Sequence, residues 1–144
     1  MSKNGLAIAV FLLGALVLAM AQQSELKKRP MPQTSPADGQ QMYFVYCASC
    51  HGPEGKGDGP VATSLREPIP DLTRIAERNQ GIYPFAHVEA TIVGDPKTPA
   101  HGTADMPVWG PLLAGISHQD QAQIRMRLFN LVEHVRSLQT TPAK

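Results

Sequence analysis

Features that would define several other classes of protein are absent or scarce in this sequence. No long run alternates apolar and polar residues, so an extensive β-sheet is not expected. The formal charge is only +1 and no basic stripe is present, which argues against nucleic-acid binding. Cysteine occurs only twice, as Cys47 and Cys50. The 13 prolines, in contrast, predict a loop-rich chain with only a few helices.

Residues 1–21 have the pattern of a secretory signal peptide. Lys3 precedes an uncharged apolar run, residues 6–20, and small residues then suit cleavage after Ala21. The run is slightly shorter than the about 20 apolar residues of a comfortable membrane span, and an uncleaved anchor is the alternative. In both cases the rest of the chain is expected to be exported and periplasmic. All 12 acidic residues and 12 of the 13 basic ones follow Ala21, so the mature chain is formally neutral.

The remaining chain is expected to contain one domain, because it is too short for two comfortable ones. Residues 22–37 contain three prolines and little apolar surface, and they are predicted to be a flexible linker. Residues 38–140 are the predicted domain, and residues 141–144 are a short tail.

Apolar spacing predicts an all-α domain of three to four helices joined by long loops. Asp38 is expected to cap a first helix that runs into the cysteines and ends at Gly52. Residues 67–81 are expected to be extended with one short helix. A longer helix is expected within residues 84–94, followed by a loop over residues 95–115. Ser117 is expected to cap the last helix. The apolar stripe of that helix consists of Ile124, Leu128, Leu131, Val132, Val135 and Leu138.

The two cysteines and the following His51 form the sequence Cys-x-x-Cys-His, which has three interpretations. A disulfide suits an exported chain, but thioredoxin-like chemistry needs a βαβ pattern that is not evident. Structural zinc needs four ligands, and the chain has no further cysteine and no tight histidine pair. The third interpretation, which the sequence favours, is the attachment signature of a c-type haem. The other histidines are His87, His101, His118 and His134.

The spacing of this motif suits covalent haem attachment. At the end of a helix, Cys47, Cys50 and His51 stand at positions i, i+3 and i+4, which share one face. Two thiols can then bind the two vinyl groups at one haem edge while the imidazole reaches the iron. Long loops between helices also suit a chain that a cofactor organises.

Met106 is the predicted second axial ligand of the iron. Thioether sulfur suits ferrous iron, and His/Met ligation raises the reduction potential. Met106 lies in a predicted loop stiffened by Pro107, whereas Met42 and Met126 lie in predicted helices and are expected to fill the core. Met31 lies in the predicted linker. His101 is an alternative ligand, five residues before Met106.

The segments CASCHGPEGKGDGP and MPVWG, followed by an amphipathic C-terminal helix, resemble the class I c-type cytochromes, bacterial single-haem electron carriers. The resemblance covers about residues 38–138. It implies a cytochrome c-like fold with crossing terminal helices, where Gly39 allows close approach and Tyr43 packs. His134 stands where the family often has an aromatic residue. The resemblance also implies that the second ring nitrogen of His51 donates to a backbone carbonyl, for which Pro60 is the candidate.

These observations predict an exported electron carrier rather than an enzyme. One covalently bound haem c, ligated by His51 and Met106, would pass one electron at a time between redox proteins, with no substrate site at the iron. Membrane contact is expected only if the N-terminal segment is uncleaved. The alternatives are a haem subunit of a larger periplasmic dehydrogenase or oxidase, and a haem enzyme or sensor with an open distal site.

Overall fold

The computed structural model describes residues 30–94 and 106–140, and these residues contain helices and no strand. The chain divides into two compact units, Met1–Pro30 and Met31–Lys144, and every described element belongs to the second. Six α-helices and two 3₁₀ turns are present in the described ranges, so the all-α prediction is confirmed but its count of three to four helices is too low. The helices are α1 (Gly39–Tyr46), α2 (Ala48–His51), α3 (Ile75–Arg78), α4 (Phe85–Val93), α5 (Trp109–Ile116) and α6 (Gln121–Ser137), and the 3₁₀ turns are Ala62–Ser64 and Leu72–Arg74.

The first predicted helix is present, but it is divided in two. Asp38 caps α1 as expected, because its carboxylate accepts a 2.7 Å hydrogen bond from the Gln41 amide. Cys47 interrupts the helix between α1 and α2, and Gly52 ends α2 with a positive φ of 78°. The division adds a four-residue helix that apolar spacing alone does not reveal.

Helices α1 and α6 cross at the centre of the domain, as the family resemblance implied. Gly39 lies against the backbone of Asn130, and the ring of Tyr43 lies 5.0 Å from the ring of His134. The absence of a side chain at Gly39 allows this close approach. The core between the helices includes Met42, Tyr43, Leu128, Leu131, Val132 and Val135.

Helix α4 matches its prediction, whereas α5 contradicts the predicted loop over residues 95–115. Gly94, in the left-handed conformation, ends α4. Helix α5 contains Pro111, which usually argues against a helix. The proline lies in the first turn, where a missing backbone N–H costs no intrahelical hydrogen bond. Residues 95–105 lie outside the described residues.

The cap of α6 and the environment of two of its side chains differ from the predictions. Asp120, not Ser117, caps the helix by accepting hydrogen bonds from the amides of Ala122 and Gln123. Ser117 instead follows α5 and is completely buried. Met126, predicted to fill the core, is 46% exposed because it faces outward on the helix.

The last part of the predicted linker, residues 31–37, packs on the domain. Thr34 is buried, and Met31 contacts the hydrophobic core. Residues 22–29, the signal segment and the tail lie outside the described residues. No helix within the described ranges has the length and apolarity that crossing a membrane requires.

Candidate functional site

The Cys-x-x-Cys-His motif lies where α1 passes into α2. The Cys47 amide donates to the Tyr43 carbonyl at 2.8 Å and so completes the last turn of α1. The Cys47 carbonyl accepts from the amide of His51 at 2.9 Å and begins the turn of α2. The motif therefore spans one helical turn. His51 is the last residue of α2 and is buried, with only 7% of its surface exposed.

The glycine-rich loop after His51 satisfies the carbonyl groups at the end of α2. Helix ends leave such carbonyls without intrahelical partners, and here backbone amides of residues 57–61 return to them. Gly59 packs so closely on the helix that an added Cβ would overlap the backbone of Ser49 and Cys50. The loop thus fixes the helix end that carries the histidine. The bonds run from Gly57 to His51 at 2.8 Å, from Gly59 to Cys50 at 3.1 Å and from Val61 to Ser49 at 3.1 Å.

Two cavities meet at this motif. Their volumes are about 500 and 340 Å³, within the range of small-molecule and cofactor sites. Both are lined by Cys47, His51, Pro70 and Met106. The larger cavity extends into the core along Leu72, Val88, Ile92, Leu131 and Val135, and the smaller one is lined by Met31, Pro32, Tyr46, Cys50 and Trp109.

The two cysteines are free thiols. Burial, with a smaller effect of Cys50, raises the pKa of the Cys47 thiol to about 12, so this thiol is protonated at neutral pH. The described ranges also contain no group of three or more His, Cys, Asp or Glu residues that could hold a metal ion. Two thiols and a buried imidazole are the donor set that covalent haem attachment uses.

The structure brings together all four predicted site residues on the walls of the cavities. Trp109 also lines the smaller cavity, with its ring 5.5 Å from the ring of Tyr46. His87 is exposed at the rim of the larger cavity. His101 lies outside the described residues.

The sequence analysis did not assign Tyr46 and Pro70 to the site, and it placed Met31 in a linker, although all three line the smaller cavity. Tyr46 could have been noticed, because it directly precedes Cys47 in the helix. Nothing in the local sequence indicates that Met31 folds back on the motif, since its contacts involve residues far along the chain.

Two free thiols and a buried histidine within one helical turn, beside a mainly apolar cavity, fit the attachment site of a c-type haem. The family model of cytochrome c matches residues 36–126, which is more than half of the chain, and the chain belongs to the cytochrome c family. No curated protein and no solved structure is matched.

Proposed function

We propose that this protein is an exported cytochrome c that carries single electrons between redox proteins through one haem with His51 and Met106 as axial ligands. The observation that carries this proposal is that Cys47, His51 and Met106 line the same two adjoining cavities. When bound, haem supplies a one-electron couple at its iron. The chain's own residues supply attachment, ligation and an apolar environment.

Each residue of the motif has a separate role in the proposal. The thiols of Cys47 and Cys50 would hold the haem covalently, as thioethers to its two vinyl groups. The buried imidazole of His51 and the thioether of Met106 are the proposed ligands. Buried apolar residues such as Leu131 and Val135 limit access of water.

The proposed partners are electron-donor and electron-acceptor proteins in the periplasm. The apolar run of residues 6–20 and the small residues after it support export, with or without an N-terminal anchor. Because the chain after Ala21 is formally neutral, docking would depend on local surface patches rather than on net attraction.

The test is an optical spectrum of the purified, membrane-free protein with and without reductant, combined with haem staining after denaturing electrophoresis. We expect a stained band and a reversible reduced spectrum with low-spin features. The Cys47→Ser/Cys50→Ser double variant should lose the stain. A colourless wild-type band would contradict the proposal.

The same preparation distinguishes the two alternatives. High-spin ferric iron without a sulfur-to-iron charge-transfer band would favour an enzyme or sensor with an open distal site. Stoichiometric co-purification with a larger redox protein would favour a complex subunit. Free diffusion with reversible one-electron titration would favour the carrier.

A further inference from the structure

The segment of residues 31–37, here called the strap, reaches the haem cavity from outside the motif. Met31 and Pro32 line the smaller cavity together with Cys50, His51 and Trp109. The strap has no helix or strand of its own, so side-chain contacts must hold it in place.

Arg127 on α6 makes the main contacts with the strap. Its Nη1 donates to the Thr34 hydroxyl at 2.9 Å and its Nη2 donates to the Thr34 carbonyl at 2.8 Å. Its Nε donates to the hydroxyl of Ser117 at 3.0 Å. Arg127 is only 2% exposed, whereas Arg125 and Arg136 on the same helix are exposed.

The burial of this guanidinium makes the strap difficult to remove. Within the described ranges the two side-chain ion pairs are Arg74–Glu77 and Arg136–Glu133, and neither includes Arg127. A buried charge is costly unless hydrogen bonds compensate it. Two of the three oxygen partners of Arg127 belong to Thr34, so opening the strap would remove most of that compensation.

Tyr46 links the same contacts to the cavity wall. Its hydroxyl donates to the Pro32 carbonyl at 2.7 Å and lies 2.9 Å from the Thr34 hydroxyl. A tyrosine hydroxyl has one proton, and that of Tyr46 is used in the hydrogen bond to the Pro32 carbonyl. The Thr34 hydroxyl therefore donates to the Tyr46 oxygen and accepts from Arg127. The side-chain amide of Asn130 also donates to the Pro36 carbonyl at 2.9 Å. Both ends of the strap are therefore fixed.

We propose that the strap is a wall of the haem site and that Arg127 is the positioning residue that keeps it closed through Thr34. The proposal rests on the proposed function, because it assigns the cavities to haem. A closed strap keeps water and small solutes from the haem edge at Cys50. It also makes the segment before the domain part of the redox site rather than a simple tether.

The test uses two holoprotein variants that keep the charge of Arg127. Thr34→Val removes the hydroxyl and retains the shape, and Arg127→Lys retains the charge but not the planar set of donors. The control is Thr73→Val. Thr73 is also a buried threonine, but it lies outside the strap, and its hydroxyl donates to Asp71 at 2.6 Å. Hydrogen exchange of residues 31–38 and the rate of haem reduction by a small neutral reductant are measured.

We expect exchange in the strap to increase about tenfold in both variants, the change that corresponds to 1.4 kcal/mol in the opening equilibrium. Reduction by the small reductant should become faster in both, and the Thr73→Val control should resemble wild type in both measurements. Wild-type exchange at the rate of unstructured chain would overturn the proposal. Faster exchange with unchanged reduction kinetics would overturn the role of the strap as a wall. Absence of covalent haem from wild type would instead contradict the proposed function.

Discussion

The backbone of Asn130 occupies the space that a side chain on Gly39 would need. A Cβ atom at Gly39 would overlap the carbonyl oxygen of Asn130 and would lie 3.2 Å from the Cβ of His134. This contact brings α1, which leads directly to Cys47, against α6, which supplies Leu131 to the larger cavity. The position of the haem motif therefore depends on a contact between two helices that are distant in the sequence.

We expect Gly39→Ala to destabilise the protein by roughly 1–3 kcal/mol, because overpacking would force the two helices apart. Unfolding of the purified holoprotein by urea measures the change. Gly115→Ala in α5 is the matched control, because its Cβ would meet no atom within 4 Å. The control should be neutral or stabilising by up to about 1 kcal/mol. Equal destabilisation by both variants would contradict the close crossing.

Gly59→Ala should disturb the loop that satisfies the carbonyl groups of α2. The added Cβ would overlap the backbone of Ser49 and Cys50, so we expect a lower midpoint of thermal unfolding and a lower yield of haem-loaded protein. Lys56→Ala, an exposed position in the same loop, is the control. If the two variants unfold at the same temperature and load haem equally, the close packing of Gly59 does not support the end of α2.

Met106→Leu should remove the sulfur-to-iron charge-transfer band of the oxidised protein and lower the reduction potential, because a thioether ligand stabilises ferrous iron. Met126→Leu is the control, since Met126 is exposed on α6. Absorption spectra and potentiometric titration measure the two effects. Survival of the band in Met106→Leu would assign the sulfur ligand to another residue.

The stability of the protein should depend on pH through His134. Burial lowers the pKa of His134 below its usual value of 6.5, and the negative charge of Asp38 partly opposes this shift. In the window just below pH 6.5 the unfolded chain therefore binds more protons at this residue than the folded chain does. The unfolding free energy should rise with pH across this window and level off above it.

The comparison with His134→Phe isolates this contribution. Both proteins share every other titrating group, so the difference between their stability–pH curves should change only below about pH 6.5. The effect is expected to be small, because His134 is only partly buried. Parallel curves across the whole range would show that His134 does not titrate differently on folding.

The site motif was predictable because its residues are close in the sequence. Cys47 and His51 are four positions apart, so a single helical turn determines their relative placement. Met106 was predicted as an iron ligand on different grounds, because thioether sulfur suits ferrous iron and because Met106 lies in a predicted loop. The structure places it on the same cavity walls.

The errors have a common physical origin. The predicted loop over residues 95–115 missed α5, whose Pro111 lies in the first turn, where a proline does not interrupt a helix. The burial of Arg127 was not predicted, because periodicity identifies a charged side chain but not what covers it. Thr34 and Met31 were assigned to a linker, because their partners lie far away in the sequence.

The sequence by itself determined the chemistry of the site: two thiols and an imidazole at the spacing of one helical turn, in a chain whose loops suit a cofactor. Local spacing is sufficient for this, since a helix converts sequence separation directly into position. Only the tertiary structure decided that α5 is a helix, that Gly39 contacts Asn130 and that Arg127 donates hydrogen bonds to Thr34. Such contacts join distant parts of the chain and depend on which side chains the folded core buries. No local sequence pattern specifies that burial.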